Sequence, residues 1–420
     1  MKRRGLLGLY LLYPVIAAQG YWVAVAPEGT RGAGYIALHL ALSALMLAAW
    51  GLGRDAPAKW ILLSGAAARL GLFFAPAFTT HDVRRYLWDG RVALAGLDPY
   101  RVSGEAPVAA AFHAGWAVAS EHAAYVTLYP PGAIAIFAAC ASFGPTFAFW
   151  AWKAVVTAAS LVGLYLAAKM LEERSESRHL ALVALSPLLV LETGIGAHLD
   201  GLSTLCVVVA LLFAGRRRPV IAGLALGFGG LIKFLPLVLL LPLLAAERTR
   251  SRVSMGLAAA GVMVAGYCIA LQLGWWPIGS LAIFFQKWRF GSPGYSVLEL
   301  FLAAEHALTL AVFLCVGAIA LATRFHPDRP ATALASPLLA SPMAFPWYLS
   351  PLVPAIALAP SATLLGWTLT SPLTYEVLDA FDAKGQWSPQ AWPLWVIGLG
   401  WAVGLTVDWM RRPRARASTR

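Results

Sequence analysis

Apolar runs separated by short polar breaks follow one another along almost the whole chain. Candidate segments lie at 6–26, 34–53, 58–77, 129–143, 146–169, 179–193, 200–214, 219–232, 235–246, 253–274, 304–323, 331–345, 347–360, 361–372 and 391–410. The segments 219–232 with 235–246, and 347–360 with 361–372, are too short to cross singly and must be broken helices, re-entrant pieces or helices buried among others. A crossing needs about 20 residues, so the pattern predicts an all-α polytopic membrane protein with about eleven to thirteen crossings.

The composition agrees with a membrane protein. Of 420 residues, 60% are hydrophobic and 12% are charged, and this charged share is about half of what soluble domains carry. No soluble domain or internal repeat stands out, so we treat 1–420 as a single integral membrane domain. The N-terminal MKRR and its apolar run resemble a signal peptide, but no small-residue cleavage site follows, so we predict an uncleaved first span.

The distribution of basic residues predicts the orientation. A net charge of +12 would suggest nucleic acid in a soluble chain, but clustering in short loops favours anionic membrane lipids as partners and no nucleic acid. The positive-inside rule places these groups in the cytoplasm: Lys2, Arg3 and Arg4; Arg54 and Lys59; Arg216, Arg217 and Arg218; Arg248, Arg250 and Arg252; Arg324 and Arg329; and the tail RRPRAR at 411–416. Loops 79–128, 275–303 and 373–390 are then extracytoplasmic.

The densest polar stretch is TTHDVRRYLWDGRVALAGLDPYRVSGEAP at 79–107. We expect a short helix with Asp82 in its first turn, because Thr79 or Thr80 can cap its amides and the helix dipole favours an anion there. Helical spacing puts two carboxylates, a guanidinium and a phenol on one face: Asp82, Arg85, Tyr86 and Asp89. The other face is apolar, as in amphipathic helices at a bilayer surface. The polar face belongs either to an active-site loop or to a solvated helix whose charges pair with one another.

Polar residues also interrupt apolar runs further along the chain. Glu192, His198 and Asp200 fall within ETGIGAHLDGL at 192–202; ionisable groups at membrane depth are costly and tend to be functional, and the alternative is a plain turn with Asp200 as a cap. Lys233 has no acid nearby in sequence. It either snorkels to an interface or binds an anionic lipid head group.

Two later stretches combine aromatic residues with basic residues in one case and with prolines in the other. Lys287 and Arg289 stand beside aromatic residues at 284–300, where Arg can clamp phosphate oxygens in a bidentate way, although interfacial anchoring explains the same residues. The segment SPMAFPWYLSPLVP at 341–354 carries four prolines. It predicts a broken helix that aims Trp347 and Tyr348 at a cavity.

Nothing in the sequence indicates a metal or a cofactor. His113 and His122 are nine residues apart without a carboxylate triad. The cysteines lie singly inside apolar runs, as small core residues do: Cys140, Cys206, Cys268 and Cys315. We therefore predict no metal site and no cofactor.

Six motifs occur in a fixed order: HDVRRYLWDGRVALAGLDPY at 81–100, YPPGA at 129–133, AHLDGL at 197–202, KFLPLVLLLP at 233–242, KWRFGSPGYSVLEL at 287–300 and PWYLSPLVP at 346–354. With these motifs the chain resembles the bacterial polyprenol-phosphate-sugar-dependent glycosyltransferases of the GT-C superfamily, especially the mannosyltransferase-like branch. The resemblance spans nearly the whole chain, and the first motif is its most specific part. It implies a GT-C-like transmembrane bundle with amphipathic juxtamembrane helices in the extracytoplasmic loops.

The resemblance implies an inverting transfer of a sugar from a polyprenyl phosphate donor to a hydroxyl of a lipid or glycan acceptor. Mannose is the first candidate for the sugar. The active site would face outward from the bacterial plasma membrane. An acid in an early extracytoplasmic loop is the base in such enzymes, so Asp82 is the first candidate and Asp89 the second. For the donor phosphate the candidates are Arg289, Lys287 and Arg85. For substrate binding they are His81, Tyr86, His198, Asp200, Trp347 and Tyr348.

Three positions depart from the family pattern. His81 stands where the family often has a second acid, Asp98 replaces the Asn of an NPY motif, and Gly196 replaces the Asn of an NAHxD-like motif. These departures bear on the choice of sugar more than on the type of reaction.

Two other functions fit a chain of this kind. A transporter or flippase of a lipid-linked substrate would also have many spans and few charges, but transporters usually show repeats and place ionisable groups at the bilayer midplane. A polysaccharide polymerase or ligase that uses diphosphate-linked donors is the other alternative. A catalytic outer loop with Arg and His in place of Asp would indicate such a polymerase or ligase.

Overall fold

A computed structural model of the chain describes residues 2–53, 57–116 and 118–411, without the side chains of residues 2–4. The predicted cytoplasmic charges at Arg54 and at 412–416, and the side chains of Lys2, Arg3 and Arg4, lie outside the described residues. The described chain is helical throughout, and its β structure is limited to an isolated bridge between Phe290 and Met343. The prediction of an all-α polytopic membrane protein is confirmed.

Twenty-two α-helices lie in the described ranges. They are α1 (Lys2–Ala18), α2 (Gly20–Ala24), α3 (Arg31–Leu52), α4 (Ala58–Gly71), α5 (Asp82–Leu94), α6 (Ser120–Ala123), α7 (Pro131–Ala141), α8 (Gly144–Glu173), α9 (Leu180–Ala184), α10 (Pro187–Leu191), α11 (Asp200–Gly215), α12 (Pro219–Ile232), α13 (Leu240–Ala246), α14 (Thr249–Gln272), α15 (Leu281–Lys287), α16 (Pro293–Phe301), α17 (Ala304–Phe325), α18 (Pro330–Ala335), α19 (Leu352–Leu358), α20 (Ala362–Thr370), α21 (Val377–Lys384) and α22 (Trp392–Met410).

Shorter helical turns connect some of them. The 3₁₀ turns are Pro107–Phe112, Ser177–His179, Leu235–Leu239, Ser336–Leu338, Pro346–Leu349 and Ser371–Glu376, and a π-helical turn covers Glu192–Gly196. The predicted break between 219–232 and 235–246 is present, because α12 ends at Ile232 and the next turn begins at Leu235.

Six helices among the described residues are long and apolar enough to cross a membrane, with spans Gly5–Ala24, Arg31–Leu52, Gly144–Glu173, Thr249–Gln272, Ala304–Phe325 and Trp392–Met410. The pair Ser177–Ala184 and Pro187–Gly196, bent by 42°, is a further candidate for a broken span. Five shorter apolar helices accompany them: Pro131–Ala141, Asp200–Gly215, Pro219–Ile232, Leu235–Ala246 and Pro346–Leu358. The predicted eleven to thirteen crossings are reached only if these shorter helices are counted as well.

The polar helix predicted in the first loop is α5, and it begins at Asp82 as expected. Its amide at Asp82 binds the Thr80 hydroxyl oxygen at 3.2 Å. A solvated helix is excluded, because Arg85 and Asp89 are only 4% and 3% exposed. At Gly90 an added Cβ would come within 2.3 Å of the Phe137 backbone, so α5 packs directly against α7.

A buried lysine fixes the π-helical turn in the bundle. Lys153 on α8 donates to the carbonyl oxygens of Leu72 and Ala75 at 3.1 Å each, and also to that of Gly194. A buried ammonium is tolerated only when its protons are bound. These contacts join the end of α4 to the turn that carries Glu192.

The three loops predicted to be extracytoplasmic lie together. Ser280 donates from its hydroxyl to the Val126 carbonyl at 2.7 Å and from its amide to the Thr127 carbonyl at 3.0 Å. Asp98, from the DPY motif, accepts the Trp276 amide at 2.9 Å. In the third loop, Trp387 lies against Phe290 of the second loop with ring centroids 5.1 Å apart. Asp382 of the same loop pairs with Arg31, at the start of α3, at 3.1 Å.

Candidate active site

The three loops enclose a cavity of about 390 Å³. The first loop lines it with Thr79, Thr80, His81, Asp82, Arg85, Tyr86, Glu121, His122 and Tyr125; the second with Ser280, Leu281, Phe284, Phe285 and Trp288; the third with Leu378, Phe381, Asp382 and Trp387. Lys233, Phe234, Trp347 and Tyr348 complete the polar and aromatic part of the wall. Charged groups therefore meet a largely aromatic surface in one place.

Asp82 is the carboxylate with the most contacts to other ionisable groups in this wall. Its Oδ2 lies 3.6 Å from Nδ1 of His198 and accepts the Tyr86 hydroxyl at 3.4 Å, while its Oδ1 lies 3.7 Å from Nε2 of His122. The side chain is 17% exposed. It is held from several sides and still reaches the cavity.

The surroundings of Asp82 keep its carboxyl ionised. Burial raises the pKa, but the neighbouring His198, His122 and Lys233 outweigh burial, so the pKa lies below its ordinary value of 3.8. Asp82 therefore carries a negative charge at neutral pH, as a general base must.

His198 and Glu192 lie directly behind Asp82. The imidazole of His198 is 1% exposed and stacks on Trp347 with ring centroids 3.9 Å apart. Its Nε2 lies 3.5 Å from Oε2 of Glu192 and 3.1 Å from the Thr79 hydroxyl. His198 was predicted to bind substrate, but the structure places it behind the wall, in contact with Asp82.

Asp200 and Lys233 form a second buried pair. Nζ of Lys233 donates to both carboxylate oxygens of Asp200 at 2.8 and 2.9 Å, and it lies 3.7 Å from the ring centre of Tyr348. Snorkelling, one of the two alternatives for Lys233, was wrong, because the lysine lines the cavity and is paired with an acid that is distant in sequence. Asp200, predicted to bind substrate, is not in the wall and neutralises Lys233 instead.

Asp89 and Arg85 face each other along α5. Nε of Arg85 lies 3.5 Å from Oδ2 of Asp89, and the guanidinium also donates to the Val126 carbonyl. Burial raises the pKa of the Asp89 carboxyl, and Arg85 only partly offsets it. Asp89 does not line the cavity, whereas Arg85 does. This placement favours Asp82 over Asp89 as the group that meets a substrate.

Of the three cations predicted to hold a phosphate, Arg85 is in the cavity wall, but Arg289 and Lys287 are not. Arg289 donates to Glu299 at 2.8 Å and to the carbonyls of Phe285 and Trp288 at 3.0 and 2.8 Å, so its guanidinium is already bound. Lys287 is exposed, and its Nζ lies 5.6 Å from the ring centre of Tyr125. The sequence could not show the Arg289–Glu299 pair, because the two residues are ten positions apart and Glu299 lies on the next helix, α16. The cations in the wall are Arg85 and Lys233.

The remaining predicted residues are found in the wall. His81 contacts Glu121, with Nδ1 2.6 Å from Oε1; burial raises the pKa of Glu121, but the hydrogen bond from His81 lowers it to about 2. Tyr86 stacks on Phe137. Trp347 and Tyr348 line the cavity, as the proline-rich segment suggested.

Sequence reasoning missed several residues of the site. They are Glu121 and Asp382, which line the cavity, and Tyr35 and Tyr375, which donate their hydroxyls at 2.6 and 2.8 Å to Glu192, a residue that the sequence did single out. Glu121 was visible as a polar residue in the first loop, next to His122. No sequence pattern marked Tyr35 and Tyr375 as site residues, because a tyrosine in either stretch is equally compatible with an ordinary core position.

The model of one family matches this chain. Its description is glycosyltransferase family 87, and it covers residues 127–351, just over half of the chain. The matched range includes Glu192, His198, Lys233 and Trp347, but Asp82 lies before it. No curated protein and no solved structure matches the chain.

Proposed function

The chain belongs to glycosyltransferase family 87, and from this premise we propose that it moves a sugar, specifically mannose, from a polyprenyl phosphate to an acceptor hydroxyl. The acceptor is a lipid or a glycan, and the reaction takes place at the outer face of the plasma membrane. The observation that carries this proposal is the ionised carboxylate of Asp82, held by His198 and His122 in the wall of a mostly aromatic cavity.

The proposed reaction needs only a base and a cationic environment. Asp82 takes the proton from the acceptor hydroxyl as that oxygen attacks the anomeric carbon from the face opposite the phosphate. The bond between the anomeric carbon and the phosphate oxygen breaks, its electron pair leaves on the polyprenyl phosphate, and the configuration inverts. A phosphate monoester is a good leaving group, so general-base help of about 10²–10⁴-fold is the part that a carboxylate supplies.

The cavity wall has a cationic part and an apolar part, and an amphiphilic donor requires both. Lys233 and Arg85 supply positive charge for the phosphate in place of Arg289 and Lys287, in keeping with electrostatic stabilisation of a leaving anion. Phe234, Leu235 and Phe284 offer an apolar surface that suits the first isoprene units. We propose these residues as the donor side of the site.

Transfer by purified protein tests the function directly. Polyprenyl-phosphate mannose and a hydroxyl-bearing glycolipid are the probes, with and without chelator, and the expected result is transfer that chelation leaves unchanged. Turnover only with a diphosphate-linked donor would favour a polymerase or ligase. Movement of the intact lipid-linked sugar across proteoliposomes without bond cleavage would favour a transporter.

The outward orientation of the cavity can be tested by labelling. In a variant without Cys140, Cys206, Cys268 and Cys315, single cysteines are introduced as Arg101→Cys and Arg250→Cys. The Arg101 side chain is 68% exposed in the first loop, and Arg250 is exposed in the first turn of α14. An impermeant maleimide should label position 101 in intact cells and position 250 only after permeabilisation, because basic loops stay in the cytoplasm. The reverse pattern would place the cavity inside.

A further inference from the structure

We propose that Glu192 is a positioning residue that acts on Asp82 through His198, by holding the imidazole between two carboxylates. The proposal rests on the assignment of Asp82 as the base of the proposed transfer. It extends that assignment to a residue that lies outside the cavity wall.

The contacts form an unbroken line from the cavity to the protein interior. Oδ2 of Asp82 lies 3.6 Å from Nδ1 of His198 and Nε2 of the same ring lies 3.5 Å from Oε2 of Glu192. The other carboxylate oxygen of Glu192 accepts the hydroxyls of Tyr35 and Tyr375 at 2.6 and 2.8 Å. Both tyrosines are at most 1% exposed, so this line of contacts ends in the protein interior.

The local backbone is shaped to make this contact. Glu192 opens the π-helical turn, a feature frequent at functional sites, and its carbonyl accepts the His198 amide at 3.1 Å. Ala197 adopts a left-handed conformation with φ of 51°, which turns the chain back on itself. At Gly196 a Cβ would come within 2.5 Å of Oε2 of Glu192 and 2.7 Å of the His198 ring. Glycine at this position therefore leaves the two side chains free to meet.

The arrangement explains why the contact matters for catalysis. Two carboxylates flank a single imidazole, the buried Glu192 on one side and the partly exposed Asp82 on the other. The face of Trp347 lies against the ring. Held in this position, His198 helps to keep the Asp82 carboxyl ionised and aims it into the cavity. Without Glu192 the imidazole would lose both its second anion and its orientation.

The groups that face this line are few and can be named. Thr79 contacts His198 from the first loop, and Asp82 is also near His122 and Lys233. Asp200 is a further acid that interacts electrostatically with His198. We expect these neighbours to stay in place when Glu192 is changed, and a change in pH dependence is then assigned to Glu192.

The test is Glu192→Gln, measured as the pH profile of transfer from polyprenyl-phosphate mannose. Glutamine retains an oxygen that accepts from Tyr35 and Tyr375, so the fold is preserved while the charge is lost. We expect turnover to fall about tenfold or more, less than loss of the base itself. The active pH range should narrow on its acid side, because Asp82 gains a proton at a higher pH once its contact with His198 is loosened.

Two controls separate positioning from mere structure. Glu176→Gln makes the same change at another Glu–His contact, where Glu176 lies 3.3 Å from His179 outside the cavity, and it should leave rate and pH range unchanged. In a His198→Gln background, Glu192→Gln should cause no further narrowing, because the link is already broken. An unchanged pH range in Glu192→Gln, or an equal loss in the His198→Gln background, would overturn the proposal.

A second measurement does not depend on the donor. Histidine ring signals of the detergent-solubilised protein are compared by NMR between the wild type and Glu192→Gln, with His198 assigned from its absence in His198→Gln. The His198 ring signals should shift in Glu192→Gln, because the ring loses the carboxylate beside its Nε2. Identical His198 signals in the two proteins would refute the role of Glu192 even if transfer is observed. Full transfer by Asp82→Asn would instead refute the proposed base while leaving the NMR result standing.

Discussion

Turnover of Asp82→Asn should fall by about 10² or more while binding of the polyprenyl-phosphate donor stays nearly intact. Asparagine keeps the shape of the side chain and can still accept the Tyr86 hydroxyl, but it has no basic oxygen to take the acceptor proton. The measurement is single-turnover transfer by the purified variant, together with donor affinity from a separate binding assay. Full activity in this variant would remove Asp82 from the mechanism.

Asp89→Asn is the matched control for that experiment. Asp89 is buried beside Arg85 and lies outside the cavity wall, so the change should cost stability, because it leaves a buried guanidinium without its anion. Turnover per folded molecule should fall less than in Asp82→Asn. The opposite ranking of the two variants would move the base to Asp89.

Lys233→Met should lower the free energy of unfolding by about 3–5 kcal/mol, because Asp200 would be left buried without its partner. Asp200 has 2% of its side chain exposed and Lys233 has 22%, so the lower end of that range is expected. The double variant Asp200→Asn with Lys233→Met should recover most of the loss, since no isolated charge remains. Thermal unfolding in detergent compares the three proteins; a double variant as unstable as Lys233→Met would contradict this account.

The same double variant separates stability from donor binding. If Lys233 also holds the donor phosphate, the restored protein should bind polyprenyl phosphate about tenfold more weakly than the wild type, because a charge-assisted contact is gone. Arg289→Ala is the comparison, and its affinity should change little because Glu299 already occupies Arg289. Wild-type affinity in the double variant would make Lys233 purely structural.

The sequence by itself determined the class of the protein and the character of its first loop. Long apolar runs dictate membrane helices because hydropathy is a local property, summed over about 20 neighbouring residues. The periodicity at 82–89 likewise places Asp82, Arg85, Tyr86 and Asp89 on one face of α5. The break before Lys233 was also visible, because two short apolar segments meet there.

Periodicity could not choose between the two acids on that face. Residues seven apart lie two helical turns from each other, roughly 10 Å along the axis, so one reaches the cavity and the other does not. Only the packing of α5 against α7 decides that Asp82, at the first turn, faces the cavity and that Asp89 faces Arg85 in the interior. The sequence is equally compatible with the reverse arrangement.

The ionic partners were decided by tertiary structure alone. Lys233 and Asp200 are 33 residues apart, and Glu192 is 157 and 183 residues from the tyrosines that bind it. A charge in an apolar run must find a partner because burial without one is costly, but nothing local states which partner it finds. The choice of partner depends on how all the helices pack. Here the packing pairs Lys233, which has no acid nearby in sequence, with Asp200 and places it in the cavity wall.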